Sequence, residues 1–324
     1  MTSLRVGACL SLTGPYARFG VQAAVGLDAW RRLDGGAEVL LEDDGGDRAR
    51  VPAALRTLAG RCDLLLGPYS TGLTRTAVAV IGESAGLLWN HGGAGDDVQA
   101  AAPGHVVSVL TPASRYAEPF LHVLAHRDAP RPLCIVIGVG SFARQVGAGA
   151  RSRAGELGID VLDEPHGREW DLLCAGSFEE DVAAVTRARG EERPPRMICA
   201  VAAGVREFGD VVAAPEGVHG VAQWFPGRAA AVDLGPTEAD LLDACAALTG
   251  GTPDYPGVQA AAAAALAVHC ARAGGGVDRE TLWAVAAALD CATLFGRFRI
   301  DPVTGLQTGH DTVLVRWTAD GLGR

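Results

Sequence analysis

The sequence predicts an α/β fold of two Rossmann-like, doubly wound lobes joined by multiple hinge crossovers, and three observations carry that prediction. Short apolar runs alternate with stretches of helical periodicity through the first two thirds of the chain. The alternation restarts after a break at residues 111–116, where Pro112 and a polar cluster interrupt it. It then stops after Phe225-Pro226-Gly227, and three helical stretches follow before the chain ends in strands. A chain that builds one lobe, crosses to a second and returns needs several connecting strands. The length of 324 residues, well beyond the ~150 typical of one domain, leaves room for both lobes.

The first series reads as strand 4–10, helix 21–33, strand 38–42, helix 48–59, strand 63–66, helix 73–85, strand 87–89 and strand 105–110. In the third helix Leu73, Ala77, Val80, Ile81 and Ser84 fall at helical spacing, and Gly86 suits a C-terminal cap. The second series places strands at 133–137, 159–162, 197–201 and 218–222, with helices at 142–156, 178–189 and 205–212. Helices at 238–248, 256–272 and 279–289 follow. The second contains an alanine-rich run that suits a buried helix. Strands at 295–300 and 312–317 close the chain as a hairpin joined through Asp301-Pro302-Val303-Thr304-Gly305.

Bulk chemistry narrows the function. With 48% hydrophobic and 20% charged residues the chain is globular and buries a large core. A net charge of −10, with all 28 basic residues arginine and scattered, argues against nucleic acid, whose affinity needs clustered cations on phosphates. No run of about 18 apolar residues suggests membrane insertion. Residues 1–12 lack a basic segment and a cleavage site and read directly as a strand, not as a signal peptide. The eight cysteines form no Cys-x-x-Cys pair and look like reduced core residues, which favours a reducing compartment. From this chain the expectation is cytoplasmic, or extracytoplasmic if a leader has been removed.

Several motifs invite chemistry. Gly82-Glu83-Ser84-Ala85-Gly86 fits the Gly-x-Ser-x-Gly nucleophile elbow, and His91-Gly92-Gly93-Ala94 looks like an esterase oxyanion loop. The elbow needs strand, strained turn, then helix, whereas the local pattern here is helix, turn, strand, and the loop order is reversed. The esterase with Ser84 as nucleophile is therefore a minor alternative. Glu118, His122 and His126 recur at zinc-compatible spacing, yet their surroundings suggest an ordinary solvated helix face. Asp43-Asp44 and Asp96-Asp97 read as solvated loop pairs. No phosphate-binding glycine motif follows a strand. Neither metal nor cofactor is expected, and the protein is read as a non-enzyme.

Four separated blocks then resemble one family: 11–30 (SLTGPYARFGVQAAVGLDAW), 40–58 (LLEDDGGDRARVPAALRTL), 63–80 (DLLLGPYSTGLTRTAVAV) and 293–317 (TLFGRFRIDPVTGLQTGHDTVLVRW). They are similar, in order and across nearly the whole length, to type I periplasmic binding proteins, in particular the branched-chain amino acid and amide-binding solute receptors of ABC transporters. The resemblance implies lobe one at residues 1–112 and 227–296 and lobe two at 113–226 and 297–324, with a small ligand in the cleft between them.

It also implies where the ligand sits. The Leu12-Thr13-Gly14-Pro15-Tyr16 loop leaves the first strand, so Tyr16 either covers a ligand or packs the loop. Gly67-Pro68-Tyr69-Ser70-Thr71-Gly72 joins a strand to a helix, where backbone N–H groups hold a carboxylate or carbonyl oxygen and Ser70 or Thr71 adds a hydroxyl. Ser70 and Thr71 serve equally as helix caps. Asn90-His91-Gly92-Gly93 matches the second contact loop, with the glycines letting backbone amides approach the ligand. In the second lobe Phe142 stands where relatives carry an aromatic. Gln223-Trp224 stands where amino-acid binders are expected to carry an acid for the ammonium. Glutamine cannot make that ion pair, which favours an amide, urea-like or aromatic ligand over a zwitterion. Tyr69 matches a cytosolic amide-sensor branch. The implied function is capture of a small polar organic molecule by hinge closure, for ABC-type uptake through a permease. The alternative is an intracellular sensor that reports to a regulator.

Overall fold

The computed structural model describes residues 3–84, 86–127, 131–164, 169–228 and 231–324. It divides into two compact units, Met1–Leu110 with Pro226–His310 and Thr111–Phe225 with Asp311–Arg324.

The first unit opens with β1 (Leu4–Leu10), α1 (Ala17–Asp34), β2 (Ala37–Asp43), α2 (Val51–Ala59), β3 (Leu64–Leu66), α3 (Thr71–Gly82), β4 (Leu88–Asn90) and β5 (Val106–Ser108). The second contains α4 (Glu118–Ala125), β6 (Leu133–Ile137), α5 (Ser141–Glu156), β7 (Val161–Leu162), β8 (Asp171–Ala175), α6 (Phe178–Arg189), β9 (Met197–Ala200), α7 (Glu207–Val211) and β10 (Val218–Ala222). The chain returns to the first unit for α8 (Glu238–Thr249), α9 (Tyr255–Gly274), α10 (Arg279–Ala288) and the hairpin of β11 (Cys291–Thr293) and β12 (Gly296–Phe298). It ends in the second with β13 (Val313–Thr318) and β14 (Gly321–Gly323).

Among the described residues the first sheet has the order β2-β1-β3-β4-β5, all parallel. The second runs β14-β13-β10-β9-β8-β6-β7, parallel from β10 to β7. Counted from β6, that parallel part repeats the order of the first sheet. In both, the order reverses beside the first strand, between β1 and β3 and between β6 and β8. Open parallel sheets bind ligands outside the carboxyl ends of the strands at such a reversal.

Apolar burial fixes the layers. Leu55, Leu58, Leu73, Val78, Ile81 and Leu88 pack α2 and α3 onto one face of the first sheet, each fully buried leucine being worth on the order of 2 kcal/mol. The alanine-rich α9 is buried along nearly its whole length, as its sequence predicts. It packs against α1 backbone to backbone: a Cβ on Gly26 would lie 2.0 Å from the Gly257 carbonyl oxygen. The bidentate Arg272–Asp34 pair, 2.8 Å on both arms, joins the far ends of the two helices. In the second unit Leu172, Cys174, Val185, Ile198, Phe208 and Trp317 form the corresponding core. All eight cysteines are free thiols, six of them buried. No single described helix is long and apolar enough to cross a membrane.

The structure corrects the sequence reading in four places. It adds β8, whose run Asp171–Ala175 opens on a buried acid that Arg196 neutralises at 2.5 Å. That strand is buried throughout, so it shows no alternation of period two. The expected closing hairpin does not form. β12 pairs with β11, and β13 instead adds antiparallel to β10, His219 opposite Arg316. Residues 297–310, expected in the second lobe, belong to the first unit. The backbone there touches β5, since a Cβ on Gly305 would meet the Val106 carbonyl oxygen at 2.0 Å, and Gln307 Nε2 donates to the Val109 carbonyl at 3.1 Å. The third helix ends at Gly82, three residues early, and Ala85 lies outside the described residues.

Candidate functional site

Three loops leave the carboxyl ends of the adjacent strands β1, β3 and β4, so strand spacing alone confines them to a span of about 10 Å. The loop after β3 contains the largest backbone anomaly. Ser70 has φ 85° and ψ 143°, a region that glycine enters freely and other residues enter at a cost of about 1–3 kcal/mol. Surrounding bonds hold it there. Its N–H donates to the Gly92 carbonyl at 3.0 Å, and its Oγ accepts from Leu73 N at 3.3 Å, capping α3. The cap reading is thus correct. It also leaves the half-buried hydroxyl with its proton to donate, at the positive end of a twelve-residue helix. Thr71 is more committed, its buried Oγ1 accepting from Gly95 N at 3.0 Å.

Tyr69 is fixed on two sides. Its ring stacks on Phe19 of α1 with centroids 4.3 Å apart, and its hydroxyl lies 3.1 Å from that of Tyr255 on α9. Tyr16 stands at the N-terminus of α1, half-buried against the α2–α3 core, so packing of the loop accounts for one side of its ring.

The loop after β4 differs from expectation. The Gly92 and Gly93 amides do not point to a ligand, because Asn90 Oδ1 accepts from both, at 3.2 and 2.8 Å. Asn90 Nδ2 in turn donates to the Gly93 carbonyl and to Ser108 Oγ, each at 2.8 Å. The glycines serve close packing: a Cβ on Gly92 would lie 2.6 Å from the Pro68 carbonyl oxygen, and one on Gly93 2.3 Å from Thr74 Oγ1. His91 is fully buried and neither ring nitrogen makes a well-formed hydrogen bond. Burial pushes its imidazole down to about 4, an effect that the Gly67 carbonyl offsets only in part, so the ring is neutral at pH 7.

In the second unit the expected residues do not converge. Phe142 begins α5 beyond β6 and meets Tyr116 edge to face at 5.2 Å. Gln223 and Trp224 follow β10, with β8 and β9 between, about 14 Å away by strand spacing. Both ends of the Gln223 amide are engaged by one backbone unit: Oε1 accepts from Thr111 N at 3.0 Å and Nε2 donates to Thr111 O at 3.2 Å. Trp224 is buried, and its Nε1 has no partner among the described residues.

The sequence reading passed over residues that shape these loops. Asp43 and Asp44, which the sequence alone places in a solvated loop, receive bonds from the first loop. Leu12 N, Thr13 N and Thr13 Oγ1 reach Asp43 at 2.9, 3.2 and 2.7 Å, and Ser11 Oγ reaches Asp44 at 2.6 Å. An Asp-Asp-Gly-Gly run directly after a strand is the turn signal that marks them. In the second unit Gly176 and Ser177, after the unrecognised β8, occupy the reversal beside Gly138–Phe142.

The other motifs dissolve. Ser84 lies beyond the end of α3 on an exposed turn, its hydroxyl donating to the Ile81 carbonyl at 2.9 Å. Glu118 accepts from Arg115, His122 Nε2 meets Arg153, and His126 turns back to the His122 carbonyl. Among the described residues no group of three His, Cys, Asp or Glu is placed to hold a metal ion. Arg75 engages Asp97 through both carboxylate oxygens.

No family model matches the chain, and no curated protein matches it in sequence. Solved structures do match. A leucine-binding protein from Thermotoga maritima superposes with a TM-score of 0.83 at 14% identity, over 98% of this chain and 97% of that one. An ABC transporter substrate-binding protein from Desulfitobacterium hafniense, in complex with leucine, gives 0.82 at 14%, over 98% of each chain. An ABC transporter solute-binding protein from Rhodopseudomonas palustris HaA2, in complex with p-hydroxybenzoic acid, gives 0.81 at 15%, over 99% and 95%. The chain has the two-lobed type I periplasmic-binding-protein fold, as the four sequence blocks imply.

Proposed function

We propose that this protein is a non-catalytic solute receptor that captures a small polar organic molecule. In the first unit Tyr16, Tyr69, Ser70 and Thr71 form the contact face, with Asn90, His91, Gly92 and Gly93 as the wall that supports it. Phe142, Gln223 and Trp224 are the residues offered by the second unit. The observation that carries the proposal is the backbone of Ser70, a non-glycine held at φ 85° at the strand-order reversal, with a hydroxyl proton at a helix N-terminus that no group among the described residues accepts. Strain at such a place is spent on geometry, not on folding. None of the proposed contact residues carries a charge at neutral pH, His91 included. The set therefore suits an aromatic acid, an amide or a urea better than a zwitterion whose ammonium demands a counter-ion.

A permease of an ABC transporter is the partner that fits the solved relatives; a regulator is the alternative partner for a sensor. The test is a thermal-shift and calorimetric screen with leucine, isoleucine, p-hydroxybenzoate, 3,4-dihydroxybenzoate, acetamide and urea. At least one raises the melting temperature by mass action. Tyr69→Ala and Thr71→Ala weaken that probe by about tenfold or more. No shift with any probe, or unchanged affinity in both variants, would falsify the assignment.

A further inference from the structure

The two units share a device that fold similarity does not assign; in the second unit it is built on the capping box of α6, Ser177 with Glu180, and extends it by a bond to Val139. In each, a carboxylate from elsewhere in the unit ties down the exposed part of the loop that follows the first strand of the sheet. In the first unit that carboxylate is Asp43, at the end of β2. Its Oδ1 accepts from Leu12 N, Thr13 N and Gly45 N at 2.9, 3.2 and 2.8 Å, and its Oδ2 accepts from Thr13 Oγ1 at 2.7 Å. Arg50 holds the same residue from behind, donating to the Asp43 carbonyl at 2.9 Å. In the second unit it is Glu180, in the first turn of α6. Its Oε1 accepts from Val139 N and its Oε2 from Ser177 N, both at 2.7 Å, so one side chain bridges the two loops at the strand-order reversal.

Burial does not hold these loops. Thr13, Gly14 and Pro15 are exposed, and Val139 is 88% exposed. Hydrophobic packing therefore contributes little to their shape, and charge-assisted hydrogen bonds supply it. The fit is close in both places. A Cβ on Gly14 would lie 2.1 Å from the Gly45 carbonyl oxygen, and one on Gly138 2.3 Å from Glu180 Oε2. Each tethered loop leads directly into an aromatic of the proposed contact set, Tyr16 in one unit and Phe142 in the other.

We infer that Asp43 and Glu180, placed on different elements of the two units, are positioning residues with the same role, each setting the loop that presents an aromatic to the ligand. This rests on the solute-receptor reading for its functional half, and on hydrogen bonding alone for its structural half. Both carboxyls are held below the usual carboxylate range. In Glu180 the Ser177 and Val139 amides do this. In Asp43 burial pushes upward, and the bonds from Thr13, Gly45 and Leu12 outweigh it.

The experiment compares wild type with Asp43→Ala and Glu180→Ala, using leucine and p-hydroxybenzoate as probes and amide hydrogen exchange without probe. Asp43→Ala loses exchange protection at Thr13 and Gly45, whereas Leu12 keeps its second bond to the Leu10 carbonyl, and Glu180→Ala loses protection at Val139 and Ser177. Each variant binds about tenfold more weakly, the scale of a lost charged hydrogen bond, while the melting temperature moves by no more than roughly 3 °C. Unchanged protection overturns the tether. Lost protection with unchanged affinity for a probe that wild type binds overturns the positioning role, as does an affinity loss matched by a large fall in melting temperature. If neither probe binds wild type, it is the solute-receptor reading that fails, and exchange still decides the tether.

Discussion

The two units follow one strand order with different electrostatics near the strand-order reversal. At the reversal of the first, the organising acid Asp43 is partly exposed and stays ionised among hydrogen bonds. At the reversal of the second, beside Glu180, sits Asp181, fully buried, its Oδ2 accepting from Ala202 N at 2.9 Å. Burial pushes the Asp181 carboxyl up to about 7, although the Ala202, Gly176 and Val201 amides pull the other way. The first unit also buries a base, His91, and keeps it neutral. The difference teaches that local burial, and not the shared strand order, fixes the protonation of a polar group near the reversal.

That contrast can be broken by pH. Asp181 has a folded value about three units above its ordinary one, and each unit corresponds to about 1.4 kcal/mol. A raised carboxyl binds its proton more tightly when folded, so its contribution is full below about pH 4 and is lost as pH rises to about 7. Asp181→Asn is expected to remove a pH-dependent cost of which about 3 kcal/mol develops between pH 5 and pH 8. Chemical denaturation of both proteins at pH 5 and pH 8 measures it, and parallel slopes would show that Asp181 is not buried as an acid. His91 has the opposite sign. Its folded value near 4 against an ordinary 6.5 favours the folded state above pH 6.5, and that advantage of about 3 kcal/mol is lost as pH falls toward 4. In His91→Phe the acid-side loss of stability between pH 6.5 and 5 should shrink.

Two smaller effects sharpen the comparison. Gln223→Leu removes both bonds between the Gln223 amide and the buried Thr111 backbone and is expected to cost about 2 kcal/mol in a urea titration. A change below the error of the fit would mean that water replaces the amide. Ser70→Gly relieves the positive φ and is expected to stabilise the chain by up to about 1 kcal/mol while weakening probe binding. Gained stability with undiminished affinity would remove Ser70 from the contact set.

Much of this was legible in the sequence because local forces wrote it there. The first strand, 4–10, and the helix at 178–189 have the bounds expected from apolar periodicity and turn residues. The Gly67–Thr71 loop was recognisable because a strand, a Gly-Pro turn and a hydroxyl-bearing helix start follow in order. What escaped depends on partners distant in sequence. The strand at Asp171–Ala175 needed Arg196 to neutralise its first residue, and Gly92 and Gly93 needed Pro68 and Thr74 before their purpose was visible. Asp43 looked solvated because its partners at Leu12 and Thr13 lie some thirty residues upstream.

The sequence by itself determined the alternation of elements, the apolar layers and the loops that leave the strand ends, since these follow from periodicity and from the conformational limits of single residues. Tertiary structure alone decided which amides those loops leave open, which carboxylates hold them and which acids and bases keep their protons. Those outcomes depend on burial and on hydrogen bonds between groups that the chain brings together only when it folds.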